Sequence, residues 1–309
     1  MTHAVDSTKW RIGLVGYGEV GRILAEDLRS RGIASLRAYD VKLGTPAEAP
    51  LRGHAQAHGV RLCASHAELT EACDLIVSAV TASQAVAVAE ACAPAIARDA
   101  WFLDFNSASP GAKIRAAALI DGVGGRYVEG AVMTSIPPYR IRVPLLLGGA
   151  HATALMPSLI ALGFDAKLGS EKLGVASATK MCRSVMIKGL EAMVIESFTA
   201  ARAYGVEDQV LASLAETFPG IDWEKQATYF FQRVVQHGRR RAEEMREVAQ
   251  TVREAGLTPW SASGTAERQA WVADLADAGL FGDRGVPGFA RSGDWRTEAD
   301  RILAALKKE

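Results

Sequence analysis

Short, uninterrupted apolar runs alternate with segments of helical periodicity along the first half of the chain. Runs of this kind predict strands that are buried on both faces. The predicted strands are Arg11–Val15, Ser35–Tyr39, Asp74–Val80, Ala100–Phe105, Arg126–Val132 and Leu145–Leu147. The predicted helices are Glu19–Ser30, Ser83–Ala97, one that begins at Pro110, and a short one within residues 41–59. This order indicates a mainly parallel sheet with helices on both faces.

The pattern changes in the second half, where almost every segment has helical periodicity. Leu173–Tyr204 contains no proline, Tyr229–Glu254 carries an apolar stripe, and Asp294–Lys308 predicts a terminal helix. We therefore predict a doubly wound α/β domain over residues 1–168 and an all-α domain over residues 169–309. A helix of about thirty residues measures about 45 Å, more than a domain of about 140 residues needs for its own core. A second copy is expected to cover the remainder, which predicts a homodimer.

Charge and composition narrow the class of partner. The chain has 35 Lys and Arg residues and 35 Asp and Glu residues, so its net charge is zero. This neutrality gives no reason to expect nucleic acid or an acidic membrane as a partner, and favours a small molecule. The apolar tract Leu75–Ala97 is interrupted by polar residues, and the polar start MTHAVDSTKW has no signal-peptide core, so we expect a cytoplasmic protein. The four cysteines have neither CxxC nor zinc-ligand spacing and are expected to be reduced thiols.

A glycine motif links the first strand to the first helix. In RIGLVGYGEVGRILAEDL the pattern GxGxxG falls at Gly16, Gly18 and Gly21. In a dinucleotide-binding Rossmann domain the first glycine permits a tight turn, the second lets the backbone approach the pyrophosphate, and the third lets the helix pack on the strand. The predicted cofactor contacts of this turn are Gly16, Tyr17, Gly18, Glu19, Val20 and Gly21. We therefore predict a Rossmann domain that binds a pyrophosphate at a helix N-terminus.

Asp40 ends the second predicted strand and bears on the choice of cofactor. A carboxylate there can accept hydrogen bonds from both ribose hydroxyls of NAD, and it repels the 2′-phosphate of NADP. Lys42 lies two residues further on and weakens that exclusion. We predict NAD, with NADP as the alternative. A flavin nucleotide, or a glycine turn that binds nothing, are the remaining interpretations.

Four segments together resemble the 3-hydroxyacid dehydrogenase and 6-phosphogluconate dehydrogenase superfamily, and the resemblance covers most of the chain. The first is the GxGxxG turn. Asp74–Ser83 (DLIVSAVTAS) is similar to the family's segment beneath the cofactor, and Asp104–Pro110 (DFNSASP) to its D-x-S-[ST]-x-x-P turn beside the nicotinamide. SATKMCRS, the fourth, has Lys180 at the family's catalytic position. The segment HGRRRAEEM is similar to a largely uncharacterised subgroup and says little about the substrate.

The resemblance implies an acid–base role for Lys180. In the family this lysine exchanges a proton with the substrate hydroxyl while hydride moves between the carbon and the nicotinamide. Oxidation of an alcohol needs a base for its O–H, and reduction needs an acid for the nascent alkoxide. The resemblance also implies cofactor contacts by Val80, Thr81 and Asn106, and a substrate contact by Ser107. We therefore predict an NAD(P)-dependent oxidoreductase that acts on a hydroxy or oxo group of a small organic acid or polyol.

Two departures from the family's pattern bear on the substrate. Ser184 stands four residues after the lysine, where the family has asparagine, and its hydroxyl can bond a substrate oxygen. Glu129–Pro138 (EGAVMTSIPP) replaces the family's Ser-Gly-Gly segment that holds a carboxylate, although Thr134 and Ser135 still offer hydroxyl groups. We therefore expect a substrate bulkier or differently charged than a small 3-hydroxy acid, and not 6-phosphogluconate.

The apolar stripe of the second long helix includes polar side chains, which need partners. His237 and Arg241 share this stripe, and Glu244 is the expected partner. Two interpretations stay open: a buried polar network, or side chains that bind an anionic or hydroxylated substrate group. His54 and His58 have the i, i+4 spacing of metal ligands, but their segment lacks a third ligand, so no metal is predicted.

Two other functions are compatible with the same residues. A lysine base opposite a hydroxyl can drive retro-aldol cleavage without net redox change, which would make the protein a lyase. A nucleotide-sensing regulatory protein would bind NAD without turnover. Imine reduction is a variant of the leading hypothesis, although a lysine base suits an alcohol better.

Overall fold

The computed structural model describes residues 6–284, 286, 289–290 and 292–307. The chain divides into two compact units, the N-terminal unit (Met1–Met181) and the helical unit (Cys182–Glu309). The predicted domain boundary after residue 168 stays a prediction. The first five residues of the polar start, and Lys308 at the end of the predicted terminal helix, lie outside the described residues.

Strands and helices alternate in the described part of the N-terminal unit. The strands are β1 (Arg11–Val15), β2 (Ser35–Tyr39), β3 (Arg61–Leu62), β4 (Leu75–Ser78), β5 (Trp101–Asp104), β6 (Arg126–Val132), β7 (Pro144–Gly148) and β8 (Asp165–Ser170). The helices before β8 are α1 (Glu19–Ser30), α2 (Ala49–Ala57), α3 (His66–Thr70), α4 (Ala85–Cys92), α5 (Pro110–Asp121), α6 (Ile136–Tyr139) and α7 (Ala152–Ala161).

The strands form one sheet in the order β3-β2-β1-β4-β5-β6-β7-β8. Neighbouring strands are parallel except β6 and β7, which pair antiparallel with Glu129 opposite Gly148. Successive residues of a strand face opposite sides of a sheet. In β4, Leu75 and Val77 pack in one core cluster and Ile76 packs in another. Both faces of the sheet are therefore covered, which is why its strands are continuous apolar runs.

Long helices make up most of the described residues of the helical unit. They are α8 (Val175–Tyr204, whose first residues belong to the N-terminal unit), α9 (Glu207–Thr217), α10 (Trp223–Glu254), α11 (Trp260–Asp277) and α12 (Trp295–Leu306). Phe198, Phe231 and Trp295 pack together in their core. A Cβ on Gly238 of α10 would come within 2.8 Å of the Gln269 carbonyl oxygen of α11, so this glycine lets the two helices pack closely. Among the described residues, no helix has the length and apolar character needed to cross a bilayer.

The observed elements confirm the predicted fold class, a doubly wound α/β domain followed by an all-α region. The structure gives α1, β1, β2 and β6 the predicted bounds. Sequence analysis missed β3, α3, α6, α7 and β8. Helix α7 contains Pro157, and β8 is a largely exposed edge strand with the sequence DAKLGS. Neither element has the apolar periodicity on which the predictions depended.

Candidate active site

The glycine turn lies where β1 ends and α1 begins, at the point where the strand order reverses direction. Gly16 has a φ of +88°, and a Cβ there would collide with the carbonyl of Ala79. A Cβ on Gly21 would collide with the carbonyl oxygen of Gly16. Both glycines are therefore required by the protein's own backbone, as expected for the tight turn and the helix–strand contact.

Gly18 differs from the other two glycines because nothing in the protein crowds it. A Cβ built there meets no atom within 4 Å, and Gly18 is the N-cap of α1. The missing side chain leaves open space in front of the main-chain N–H groups at the start of the helix. A pyrophosphate needs this space and these donors, so the turn fits a dinucleotide. Of the remaining predicted contacts, Glu19 is exposed and Val20 is partly buried.

Asp40 follows β2 and is held by two main-chain donors. Its Oδ2 accepts from the Tyr17 N–H at 2.8 Å, and its Oδ1 accepts from the Lys42 N–H at 2.9 Å. These bonds tie the carboxylate to the glycine turn. The ring of Tyr17 is buried, its hydroxyl lies 2.9 Å from His54 Nδ1, and burial raises its pKa to about 12. Tyr17 therefore contributes its main-chain N–H to the glycine turn, while its side chain packs into the protein interior.

Asn106 ties together the loops that follow β4 and β5. Its Oδ1 accepts from the Val80 N–H at 2.7 Å, and its Nδ2 donates to Ser78 Oγ at 2.9 Å. Its own N–H donates to Asp104 Oδ1 at 2.8 Å. The carboxyl ends of these parallel strands meet at one edge of the sheet, and Thr81 is exposed there. The two loops that the resemblance assigns to the cofactor are therefore fixed relative to each other.

A buried polar cluster lies beneath these loops, and sequence reasoning missed it. Lys113 Nζ lies 3.0 Å from Asp104 Oδ1 and donates to the Asp104 carbonyl oxygen at 2.9 Å. The Tyr127 hydroxyl donates to Asp104 Oδ2 at 2.7 Å. Burial and the negative charge of Asp104 raise the pKa of Tyr127 well above its usual value. The one available signal was a lysine within the apolar, alanine-rich sequence of α5, which does not reveal its partner.

Lys180 and Ser107 are brought together in the N-terminal unit. Lys180 Nζ donates to Ser107 Oγ at 2.5 Å, and both side chains are partly buried. Ser107 lies in the turn after β5, next to Asn106. The lysine that the resemblance marks as catalytic is thus at the carboxyl edge of the sheet. This is the edge to which the glycine turn also belongs, because Gly16 directly follows β1.

Glu129 anchors the helix that carries Lys180. Its fully buried carboxylate accepts from the N–H groups of Gly174 at 3.0 Å and Ala176 at 2.9 Å, and from Ser177 Oγ at 3.2 Å. A negative charge at the positive end of a helix is favourable. Opposite Glu129 in the sheet, a Cβ on Gly148 would overlap this carboxylate. The sequence analysis named Glu129 as the first residue of the segment Glu129–Pro138 but assigned it no role. The available signal was that a glycine, which has no capping side chain, precedes α8.

The other predicted substrate residues are distributed over both units. Thr134 is exposed after β6, and Ser135 directly precedes α6. Ser184 is buried on α8, one turn after Lys180. The sequence analysis selected Thr134 and Ser135 because they lie in the segment that replaces the family's Ser-Gly-Gly. It selected Ser184 because that residue follows Lys180 by four positions.

Buried ion pairs connect α8 and α10 in the helical unit. Arg241 binds the carboxylate of Glu191 through both Nε and Nη2, and both side chains are buried. Lys188 pairs with Glu244, and burial lowers the pKa of this lysine. Glu244 was the partner expected for the stripe of His237 and Arg241, but the structure pairs Arg241 with a carboxylate of another helix. Burial, followed by neighbouring arginines, lowers the pKa of His237 to about 4.

Two family models match parts of the chain. Residues 11–105 match the one described as NADP oxidoreductase, coenzyme F420-dependent, and residues 201–272 match a domain of unknown function, DUF1932. The first match includes the glycine turn and Asp40, and the second includes α10 and most of α11.

Several solved structures are similar to the whole chain. A conserved hypothetical protein from Sinorhizobium meliloti 1021 is 37% identical, with 94% of this chain and 96% of that chain covered and a TM-score of 0.72. A conserved protein of unknown function, described as structurally similar to 3-hydroxyacid dehydrogenases, is 28% identical, with 86% and 99% covered and a TM-score of 0.65. The 3-hydroxyisobutyrate dehydrogenase of Mycobacterium tuberculosis, solved with L-serine, is 18% identical, with 87% and 96% covered and a TM-score of 0.68, a likeness of fold.

The fold, the glycine turn and the family matches define an oxidoreductase-type protein with a nicotinamide-dinucleotide-binding domain. The chain belongs to the family of the Sinorhizobium meliloti protein, and its fold is that of 3-hydroxyacid dehydrogenase-like proteins. The resemblance seen in the sequence is thereby confirmed.

Proposed function

We propose that the protein is an NAD(P)-dependent oxidoreductase that transfers hydride at a hydroxy or oxo group of a small organic acid or polyol. The observation that carries this proposal is the hydrogen bond from Lys180 Nζ to Ser107 Oγ at the carboxyl edge of the sheet. In open α/β sheets, ligands bind in the crevice outside this edge. A lysine and a hydroxyl group held there, beside a turn that fits a dinucleotide, suit chemistry on a substrate oxygen.

The chain's own residues handle the proton. In the oxidation direction, Lys180 in its neutral form takes the proton from the substrate hydroxyl, and in reduction its ammonium returns that proton to the nascent alkoxide. Ser107 accepts a hydrogen bond from Lys180 and so fixes the direction of the amine. The hydride would be accepted or supplied by a nicotinamide cofactor held at the glycine turn. Glu129 acts on the start of the helix that carries Lys180. Its carboxylate accepts from the N–H groups of Gly174 and Ala176, and these bonds set where α8 begins.

We propose NAD as the cofactor. The carboxylate of Asp40 is held in place by two main-chain N–H groups at the end of β2, where it opposes a 2′-phosphate. Lys42 is exposed and adjacent, so NADP stays the alternative. Titration of the protein with NADH and NADPH, followed by nicotinamide fluorescence, measures the preference directly. Equal affinities would remove the proposed role of Asp40.

Substrate contacts are proposed for the hydroxyl groups of Ser107, Thr134, Ser135 and Ser184. These groups donate and accept without charge, which suits a hydroxylated substrate. For Arg241 we infer a structural role, because its guanidinium is buried and already bound to Glu191. The imidazole of His237 has a lowered pKa, and a neutral ring would bind a hydroxyl group rather than an anion.

The test combines turnover and cofactor binding in two variants. Lys180→Ala is expected to lower kcat by about 10²–10⁴-fold, the usual contribution of general acid–base catalysis, with the affinity for NADH unchanged. Gly18→Ala is expected to fold normally, because the added methyl group meets no protein atom, but to lose affinity for NADH. Lys172→Ala removes an exposed lysine nearby and serves as the control for charge.

Three outcomes would redirect the proposal. Cleavage products without accumulation of NADH would indicate a lyase. A nucleotide sensor would be indicated if the unmodified protein and Lys180→Ala both bind NAD and neither turns over a hydroxy acid, an oxo acid or a polyol. Full activity of Lys180→Ala would remove the lysine from the chemistry.

A homodimer of a cytoplasmic enzyme is the assembly that we propose. Large apolar side chains are exposed on the helical unit, among them Met186, Met193, Tyr204 and Trp260. Met186, Met193 and Tyr204 are seven and eleven residues apart on α8 and so lie on one side of the helix, where a contiguous apolar surface favours association with a second copy. Light scattering at micromolar concentration measures the mass, and a single monomeric species would refute the dimer.

A further inference from the structure

We propose that Glu26, His54 and His58 form a binding site for a divalent transition metal of the zinc class. The two histidines lie at the i, i+4 spacing at the end of α2, and Glu26 lies on α1. Each residue offers one ligand atom, and these atoms all lie within 4.8 Å of one another. The third ligand is 28 residues from His54 in the sequence, which is why the local pattern did not reveal it.

The donor set suits zinc. Two imidazole nitrogens and one carboxylate oxygen are a common set for a tetrahedral zinc ion, whose fourth position is open to water. His54 Nε2 and Glu26 Oε1 are 2.9 Å apart. Two such donors bound to one zinc ion are separated by about 3.3 Å, from bond lengths of about 2.0–2.1 Å and a tetrahedral angle. The two side chains therefore need to move apart by only about half an ångström.

Outer contacts hold His54 and Glu26 in place. The rings of His54 and His58 are stacked with centroids 4.3 Å apart, so His58 must turn for both nitrogens to reach one ion. His54 Nδ1 lies 2.9 Å from the Tyr17 hydroxyl, so Nε2 is the nitrogen that faces Glu26. The second carboxylate oxygen of Glu26 accepts from Arg140 Nη2 at 2.6 Å. Metal-binding histidines and carboxylates in proteins are typically oriented by such partners.

Charged groups of both signs surround the proposed site. Asp27 Oδ1 accepts from Arg140 Nε at 2.8 Å, and Arg29 Nε donates to the His58 carbonyl oxygen at 2.9 Å, so the two nearby carboxylates are balanced by two guanidinium groups. The donor set, and not the surrounding charge, is therefore what favours a metal. Imidazole binds a metal only in its neutral form, so protons compete with the ion.

This site goes beyond the proposed oxidoreductase activity, because no proton or hydride step uses it. Its ligands connect α1 to α2, and through Tyr17 they reach the glycine turn. A bound metal would therefore cross-link the elements that frame the dinucleotide site. Its test uses metal binding as the readout and does not depend on turnover.

Calorimetric titration of the untagged protein with zinc chloride tests the proposal. We expect one zinc ion per chain, and a loss of affinity greater than about tenfold in both His58→Ala and Glu26→Gln. Tyr17→Phe removes only the outer contact and is expected to lose about tenfold. His151→Ala removes a partly exposed histidine elsewhere and should bind as the unmodified protein does.

Two further readouts keep the result interpretable. Cobalt(II) in place of zinc should give the visible absorption of a four-coordinate site, and His58→Ala should lose that spectrum. Zinc should raise the Tm of the unmodified protein and not that of His58→Ala, because only a native-state ligand stabilises by mass action. Absence of stoichiometric binding, or equal binding by His58→Ala with a native circular dichroism spectrum, would overturn the proposal.

Discussion

Lys113 in the N-terminal unit and Lys188 in the helical unit are both buried, but the two units hold buried charge differently. Lys113 binds the carboxylate and the main-chain carbonyl of Asp104, a residue nine positions away. Lys188 binds the side chain of Glu244, 56 positions away on another helix. The same difference separates Glu129, which accepts from main-chain N–H groups, from Glu191, which binds a guanidinium group.

The comparison teaches where substitutions do most damage. Main-chain partners stay in place when one side chain is removed, and water or a shifted helix end can satisfy them. A side-chain partner left behind in the core is an unpaired charge, which is strongly destabilising. The helical unit should therefore depend on its charged pairs more than the sheet depends on its anchored carboxylates.

Arg241→Met should give the largest effect. It leaves Glu191 buried without its cationic partner, and we expect the free energy of unfolding of the helical unit to fall by about 4 kcal/mol. Urea unfolding, monitored by the hydrogen exchange of main-chain amides in α8 and α10, measures this loss. The double variant Glu191→Leu/Arg241→Met should recover most of the stability, because neither charge is then left alone.

Arg239→Met on the same helix is the matched control. Arg239 pairs with Asp274 and Asp277, each at 2.6 Å, but all three side chains are exposed. Exposed pairs contribute less than about 1 kcal/mol. Equal losses in the two arginine variants would break the comparison, since burial would then not decide the outcome.

Glu129→Ala tests the main-chain side of the comparison. The variant removes a buried, charge-assisted set of hydrogen bonds at the start of α8, and we expect a loss of about 3 kcal/mol from the N-terminal unit. Hydrogen exchange in β6 and the first turn of α8 measures it. Glu171→Ala, which removes an exposed carboxylate bonded to Thr153, should change little. A loss larger than that in Arg241→Met would reverse the proposed order of the two units.

His237 gives the smallest expected effect and depends on pH. Its folded-state pKa is about 4, against 6.5 for the ordinary side chain, because burial and neighbouring Arg233 and Arg240 disfavour the imidazolium. The unfolded chain therefore binds the extra proton first as the pH falls. The contribution of the neutral ring to stability is complete above about pH 6.5 and is lost as the pH falls toward 4. Because the ring is partly exposed and solvent screens its interactions, we expect a loss of less than about 1 kcal/mol at pH 5.

His237→Gln should flatten this decline between pH 6.5 and 4, measured as the urea midpoint of the helical unit at half-unit pH steps. His151→Gln, at a partly exposed position of the N-terminal unit, should leave the slope intact. An unchanged slope in His237→Gln would mean that the histidine takes up its proton as readily in the folded protein as in the unfolded chain. The helical unit would then tolerate a partly buried cation beside its arginines.

The sequence predicted what depends on neighbours in the chain. Gly16, Gly18 and Gly21 could be assigned because a strand, a turn and a helix follow one another within a few residues. The approach of Lys180 to Ser107 could be expected only through family resemblance, since 73 residues separate them. The resemblance supplied a spatial relation that periodicity does not contain.

The remainder depends on partners that only the folded chain brings together. Glu129 meets Gly174 across 45 residues, and Glu191 meets Arg241 across 50. The local sequence around each carboxylate does not show which partner it will meet. The same holds for Glu26, which joins His54 from another helix. Buried charge is set by pairing over long sequence separations, and apolar periodicity does not record pairing.

The lack of a side chain at Gly148 restricts how this chain can diverge. Because its α-carbon faces the carboxylate of Glu129 across the antiparallel pair, a methyl group at 148 would need a shorter residue at 129. That replacement would in turn deprive α8 of its anionic anchor. Positions 129 and 148 should therefore change together among relatives. A relative with an acidic residue at the first position and glycine at the second should begin α8 in the same way.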